Sequence, residues 1–253
     1  MPLFKTSNPA LSKNTFKNLP GGYALDESQR MTLNGTVHKT GLLLVMTMAT
    51  AAWTWSQFMA ERTMQAVSLE MLLGLLGGFV VAMVTTFKRE WSPVLAPVYA
   101  LLEGLALGGM SAAFELRYPG IAIQAVGLTF GTLLALLMAY SSGWIKVTAK
   151  FRLGVIAATG GIALFYFVEI LLGFFGIHFN TINGSGTVGI AVSLFVVAIA
   201  ALNLVLDFDF IEQGVQAGAP KYMEWYGAFG ILVTLIWLYL EMLRLLAKSR
   251  SRN

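Results

Sequence analysis

Cysteine is absent from the 253 residues, which excludes disulfides, thiol nucleophiles and thiolate metal sites. Histidine is nearly as scarce: His38 and His178 are too few to build a histidine metal cluster. Charge is the third shortage, at 12% of residues against about 25% in an ordinary soluble domain. Apolar residues take its place, at 57% of the chain, and the mean hydropathy is +0.70. So little charge cannot cover a water-facing surface, whereas a chain surrounded by lipid needs almost none over most of its length. The 26 Gly and 6 Trp suit close-packed membrane helices and interfacial anchors. The net charge of +4 sits mostly in tails and connections, where it reads as topology rather than as affinity for nucleic acid.

Residues 1–36 are polar and hold no apolar stretch long enough for a secretory signal, so the first span is expected to act as its own insertion signal. Turn formers (Asn8-Pro9 and Pro20-Gly21-Gly22) predict a largely irregular N-terminal tail. Behind it, seven stretches approach the ~20 apolar residues that a helix needs to cross lipid. They are 41–59, 71–87, 94–114, 121–140, 153–175, 188–206 and 226–246. Open β-structure cannot cross lipid, and no ten-residue alternation suggests a barrel. The expected fold is therefore an all-α membrane protein, a polytopic bundle of about seven transmembrane helices over residues 37–247, with a basic tail at 248–253.

Lys and Arg set the orientation. They are dense in the N-terminal tail (Lys5, Lys13, Lys17, Arg30, Lys39), in the second connection (Lys88, Arg89) and in the fourth (Lys146, Lys150, Arg152). The intervening connections carry only Arg62, only Arg117, and neither type near His178. That alternation predicts a cytoplasmic N-terminus. The C-terminal end breaks it, because seven crossings would place Arg244, Lys248, Arg250 and Arg252 outside, after an acidic connection (Asp207, Asp209, Glu212, Glu224). Two outcomes are open: one segment fails to cross, or helix packing overrides the charge rule. Small residues recur at four-residue spacing in three pairs, Gly74/Gly78, Gly104/Gly108 and Gly127/Gly131, as close helix packing or oligomer contacts require. Trp91, Tyr118, Tyr140, Trp144, Tyr222, Trp225 and Tyr226 cluster near span ends and are expected to anchor the interface.

The informative residues are acids in apolar surroundings. An ionised acid at mid-membrane costs about 2.5–3.5 kcal/mol on insertion scales, so it faces the bundle interior, finds a partner or holds a proton. Glu103, Glu169, Asp207 and Glu241 qualify. Glu103 and Glu169 suit helix–helix hydrogen bonds, with a pathway role as the alternative. Asp209 and Glu212 read as solvated acids beside a connection, or as cation attractors at a pore mouth. For Asp207 the plain alternative is a solvated helix-end acid, and for Glu241 an i,i+3 pair with Arg244. A straight hairpin would hold Asp207 and Glu241 apart: Glu241 lies about 15 residues into the last helix, more than about 20 Å along the axis. They can meet only if the sixth helix continues past Asp207 toward Gln213, or if the seventh crosses it at mid-depth.

Four runs carry a family resemblance. Leu202-Asn203-Leu204-Val205-Leu206-Asp207-Phe208-Asp209-Phe210-Ile211 resembles the sixth-helix end of the Bax inhibitor family, in which apolar residues lead to an Asp with an Ile four positions on. Trp237-Leu238-Tyr239-Leu240-Glu241-Met242-Leu243 is similar to its seventh helix, where an Asp follows Leu-Tyr-Leu. The run from Pro93 to Gly108 resembles the family's third span, and Met31-Thr32-Leu33-Asn34-Gly35-Thr36-Val37-His38-Lys39-Thr40 its bacterial subgroup. The resemblance covers residues 31–247. It implies a multi-pass protein of the bacterial inner membrane, with Asp207 and Glu241 as an acidic dyad that shares a proton and controls a pH-sensitive calcium leak. The chain departs from the family pattern in three places. Glu241 stands where the family has Asp, the stretch between the two acids is longer, and the second span lacks the Arg that lies near the dyad, with only Lys88 and Arg89 at its end.

Two carboxylates in contact cannot both ionise cheaply, so they share one proton and titrate as a pair. Gain or loss of that proton changes a charge-assisted link between two helices. When ionised, the oxygens of Asp207 and Glu241 are suited to transient calcium contact. The expected function is therefore a pH-sensitive calcium or cation leak without a cofactor, whose partners are the lipid bilayer, calcium or protons, and other membrane proteins. A regulatory protein that binds a membrane protease or another membrane complex through the 1–36 tail is the alternative, and a proton-coupled transporter a third reading. No enzyme is expected. Asn183-Gly184-Ser185-Gly186 with His178 lacks a third triad member, and there is no phosphate-binding Gly-Lys-Ser/Thr loop.

Overall fold

A computed structural model describes residues 26–176, 182 and 184–252. His178, Asn183 and the first 25 residues of the tail lie outside that range. Seven long helices account for most of it: α1 (Leu33–Glu61), α2 (Ser68–Phe87), α3 (Ser92–Arg117), α4 (Ile121–Ser141), α5 (Ala149–Phe174), α6 (Thr187–Gln216) and α7 (Met223–Arg250). Local chemistry sets several ends. Thr32 caps α1 by accepting from Gly35 N at 3.0 Å, and α1 stops where Arg62 turns left-handed at φ 53°. Pro93 opens α3, where a missing N–H costs nothing. Glu115, at the end of α3, accepts Ala122 N at 3.1 Å and so caps α4 from outside. Thr148 caps α5 through Phe151 N at 3.2 Å.

The architecture is the expected all-α polytopic bundle, and α2 to α7 are each long and apolar enough to cross a membrane. Their exposed side chains are those that lipid would cover, such as Leu76, Phe79 and Val80 on α2 and Leu164, Phe167 and Ile170 on α5. The expected first span is helical, but α1 falls short of the same apolar composition. It carries Thr36, Thr40, Thr47, Thr50 and Thr54, whose hydroxyls all donate to the carbonyl one turn back and so hide their polarity.

The described residues cluster in two units. The first holds α1, α2, α3, the end of α6 from Asp209 and the start of α7 to Val233. Its glycines are where helix backbones touch. A Cβ on Gly104 would strike Thr47 and Thr50 of α1, one on Gly108 would strike Ala51, and one on Gly74 would lie 2.5 Å from Leu102 O of α3. Phe58, Val67 and Ala112 form a buried core against Trp55 and Met71. Tyr226, expected as an interfacial anchor, belongs inside instead. It is 2% exposed, with the rings of Phe210 and Phe229 each centred 6.3 Å away and Arg89 over its face at 5.6 Å. Trp144, in contrast, is 87% exposed, as an anchor should be.

The second unit runs from Ile123 through α5 to Phe208 and resumes at Thr234. Ile162, Val196 and Ile199 make its core, joined by Val192, Leu202 and Trp237. Gly127 and Gly131 have nothing within 4 Å of where a Cβ would sit, so this third small-residue pair makes none of the close contacts of the other two.

Candidate functional site

α6 continues nine residues past Asp207, and α7 begins at Met223. The helical hairpin is thus longer than its apolar core, and Asp207 lies well inside it rather than at a headgroup boundary. Asp207 is 6% exposed and accepts Thr234 Oγ1 at 2.6 Å. One turn earlier, Asn203 Nδ2 donates to Thr159 Oγ1 and to Ile199 O, both at 2.8 Å. Glu241 is 2% exposed and accepts Tyr166 Oη at 2.9 Å and Arg244 Nη1 at 2.8 Å through the same oxygen, Oε1. Arg244 Nη1 also donates to Tyr166 Oη at 2.6 Å, and its guanidinium sits 5.2 Å over the Tyr166 ring. Glu241 Oε2 is buried without a hydrogen-bond partner among the described residues.

The two expected site residues therefore share a unit but not a hydrogen bond, among the described residues. Thr234 takes the place opposite Asp207. Glu241 follows seven residues later on α7, about 10 Å further along the axis. The i,i+3 pair of Glu241 with Arg244 is present at 2.8 Å. A buried carboxylate with one oxygen unmatched is costly unless it is protonated or meets a cation.

The other expected acids are placed variously. Glu103 lies one turn from Tyr99 on α3, and a Cβ on Gly78 would lie 2.7 Å from its carboxylate. Glu169 faces Lys248 electrostatically. Asp209 and Glu212 are half-buried on α6 rather than solvated beside a connection. Asp209 Oδ2 accepts Gln213 Nε2 at 2.6 Å, and Glu212 Oε1 accepts Gln216 Nε2 at 3.2 Å.

Sequence reasoning counted Glu224 only as part of an acidic connection. It is fully buried, and in the first unit it gathers Thr32 N at 2.9 Å, Thr32 Oγ1 at 2.8 Å, Lys221 Nζ at 2.9 Å and the Lys39 ammonium. Met31 N donates to Ala219 O at 2.7 Å, and Lys221 N to Gln29 O at 2.8 Å, so the segment leading into α1 is stitched to the α6–α7 connection. Gly35 has no side chain because a Cβ there would overlap the Glu224 carboxylate. The available signal was Lys39 with Gly35 one helical turn before it, opposite a buried acid whose position no local pattern reveals. On the same side, Ser92 Oγ donates to Tyr222 O at 3.0 Å. Burial pushes the Tyr222 phenol above its usual 10.0, Glu90 adds to the rise and Arg89 opposes it.

These features define a polytopic membrane bundle with carboxylates buried inside its helices. The chain belongs to the Bax inhibitor 1 like family, whose sequence profile matches residues 8–251, nearly its whole length. No curated protein and no solved structure matches it.

Proposed function

We propose that this protein is a pH-sensitive cation leak of a bacterial inner membrane, with calcium as the permeant ion and with Asp207 and Glu241 as its control residues. The observation that carries this reading is Glu241 Oε2, a buried carboxylate oxygen without a hydrogen-bond partner among the described residues. Such an oxygen has two stable fates, protonation or contact with a hard cation, and exchange between them couples proton concentration to cation passage. Asp207 of α6, held by Thr234, and Glu241 of α7 act in series rather than as one hydrogen-bonded pair. Protonation of Glu241 removes the charge that holds Arg244, and Tyr166 bridges the two, so three side chains respond to one proton. No covalent step and no cofactor enters this reading.

The N-terminus is taken as cytoplasmic and the C-terminus as external. The start of α1, the second connection and the α6–α7 connection meet on one side through Gln29, Ser92 and Tyr222, as seven alternating helices require. The C-terminal cations are locally matched: Arg244 by Glu241, Lys248 by the carbonyls of Ile182 and Gly189, and Arg250 by Gln124. Matched cations weigh less in topology than bare ones. A regulatory role through the N-terminal tail is the second reading, supported by the stitching of residues 29–32 to the α6–α7 connection, through which a partner on the tail would reach the bundle.

Calcium flux into proteoliposomes across a pH series tests the main reading. Asp207→Asn with Glu241→Gln should flatten the pH response. A response unchanged in the double variant refutes it, and loss of partner capture on deleting residues 1–25 with flux intact would favour the second.

A further inference from the structure

Within the second unit, α5, α6, α7 and Ile182 line a half-open cavity of about 360 Å³ that no acid lines. Its size falls within the about 300–1,000 Å³ of ordinary small-molecule sites. The wall is apolar, from Ile162, Phe165, Val192, Phe195 and Val196, and Gly161 leaves one side flat. A Cβ on Gly161 would meet nothing within 4 Å. Its polar lining side chains are Tyr166, Ser193, Arg244 and Lys248, and the two charged ones are both cations. Neither Glu241 nor Glu169 reaches the lining.

The cations are only partly spent. Arg244 uses Nη1 alone, on Glu241 and Tyr166, so Nη2 and Nε lack partners among the described residues. Lys248 Nζ donates to Ile182 O at 2.8 Å and Gly189 O at 3.2 Å, which leaves one of its three protons without a partner among the described residues. The depth profile is that of an amphiphile. Lys248 lies two residues from the end of α7, at a membrane boundary, whereas Ala158 on the same wall is about 12 Å deeper along α5 than Tyr166.

We propose that this cavity is a binding site for one anionic phospholipid of the surrounding bilayer. The phosphate takes the unpaired donors of Arg244 and the remaining proton of Lys248, and an acyl chain lies along the apolar wall past Gly161. A guanidinium with two adjacent unpaired donors matches two phosphate oxygens. A lipid, unlike a soluble anion, also fills the apolar depth. The site shares Arg244 and Tyr166 with the proposed leak control, but its occupancy is read without any flux.

The test is native mass spectrometry of the full detergent-purified chain with phosphatidylglycerol, phosphatidylcholine or inorganic phosphate. Phosphatidylglycerol should be retained over phosphatidylcholine. Lys248→Gln should weaken that retention about fivefold, as for one basic group at a membrane surface. Gly161→Leu, whose Cβ meets open space and whose side chain extends into the cavity, should weaken it at least as much while helical circular dichroism stays unchanged. Equal retention of the two lipids overturns the proposal. So does undiminished retention in Gly161→Leu, or displacement of the lipid by phosphate alone.

Discussion

Replacing Gly108 by Ala should destabilise the protein, and the same change at Gly127 should stabilise it. At Gly108 the new Cβ meets backbone, colliding with Ala51 O and lying 2.9 Å from both the carbonyl carbon and the Cα of Ala51. Backbone cannot rotate aside, so α1 and α3 must separate along their shared contact. Overpacking of this kind costs about 1–3 kcal/mol, and an immovable neighbour puts Gly108 at the upper end. Ala is the better helix former by about 0.8–1.0 kcal/mol, which offsets part of that cost. The net expectation for Gly108→Ala is a loss of about 2 kcal/mol. At Gly127 no atom lies within 4 Å of the new Cβ, so only the propensity gain of about 1 kcal/mol remains. The gap between the variants is thus about 3 kcal/mol. Unfolding by sodium dodecyl sulfate in mixed micelles, followed by circular dichroism, measures it. Two variants that shift together, in either direction, would refute the reasoning that contact geometry separates these glycines.

Glu224→Gln keeps the shape of the side chain but removes both ion pairs, and should cost about 2 kcal/mol. Most of that loss belongs to Lys39, since Lys221 is half-exposed and its pair is largely screened; hydrogen exchange should quicken at the Lys221 and Met31 amides, and unchanged exchange would count against the stitched connection. Thr234→Val strips Asp207 of its donor in a buried place and should lower stability by about 1–3 kcal/mol in the same micelle assay, whereas Thr234→Ser should restore it.

Hydropathy located each of the seven long helices but not its length. The apolar run of α6 stops at Leu206, yet the helix goes on to Gln216 because Thr234, Gln213 and Gln216 each bond an acid that would otherwise demand water. Apolar composition registers the lipid-facing part of a helix and is blind to a polar continuation that finds partners. The acids themselves were legible from their surroundings: Asp207 and Glu241 are both buried in the same unit. Of their partners, Arg244 was legible at i,i+3 from Glu241, but Thr234 and Tyr166 were not, because register between helices depends on where their connections close. That closure is set by Arg30 pairing with Pro220 and by Lys221 reaching Gln29, contacts that span most of the chain. Gly104 and Gly127 look identical in the sequence, and only the arrangement of helices shows which one has a neighbour.

The bond from Thr32 N to Glu224 joins residues 192 positions apart. At ribosomal speeds of about 5–20 residues per second, roughly 10–40 s pass after Lys39 is made before its acidic partner exists. During that interval the first helix carries an unneutralised ammonium near its head, an incentive for that end to stay among lipid phosphates. Arrival of the final hairpin then draws Lys39 onto Glu224, so a nascent chain truncated before residue 224 would keep its leading helix untethered and open to proteolysis.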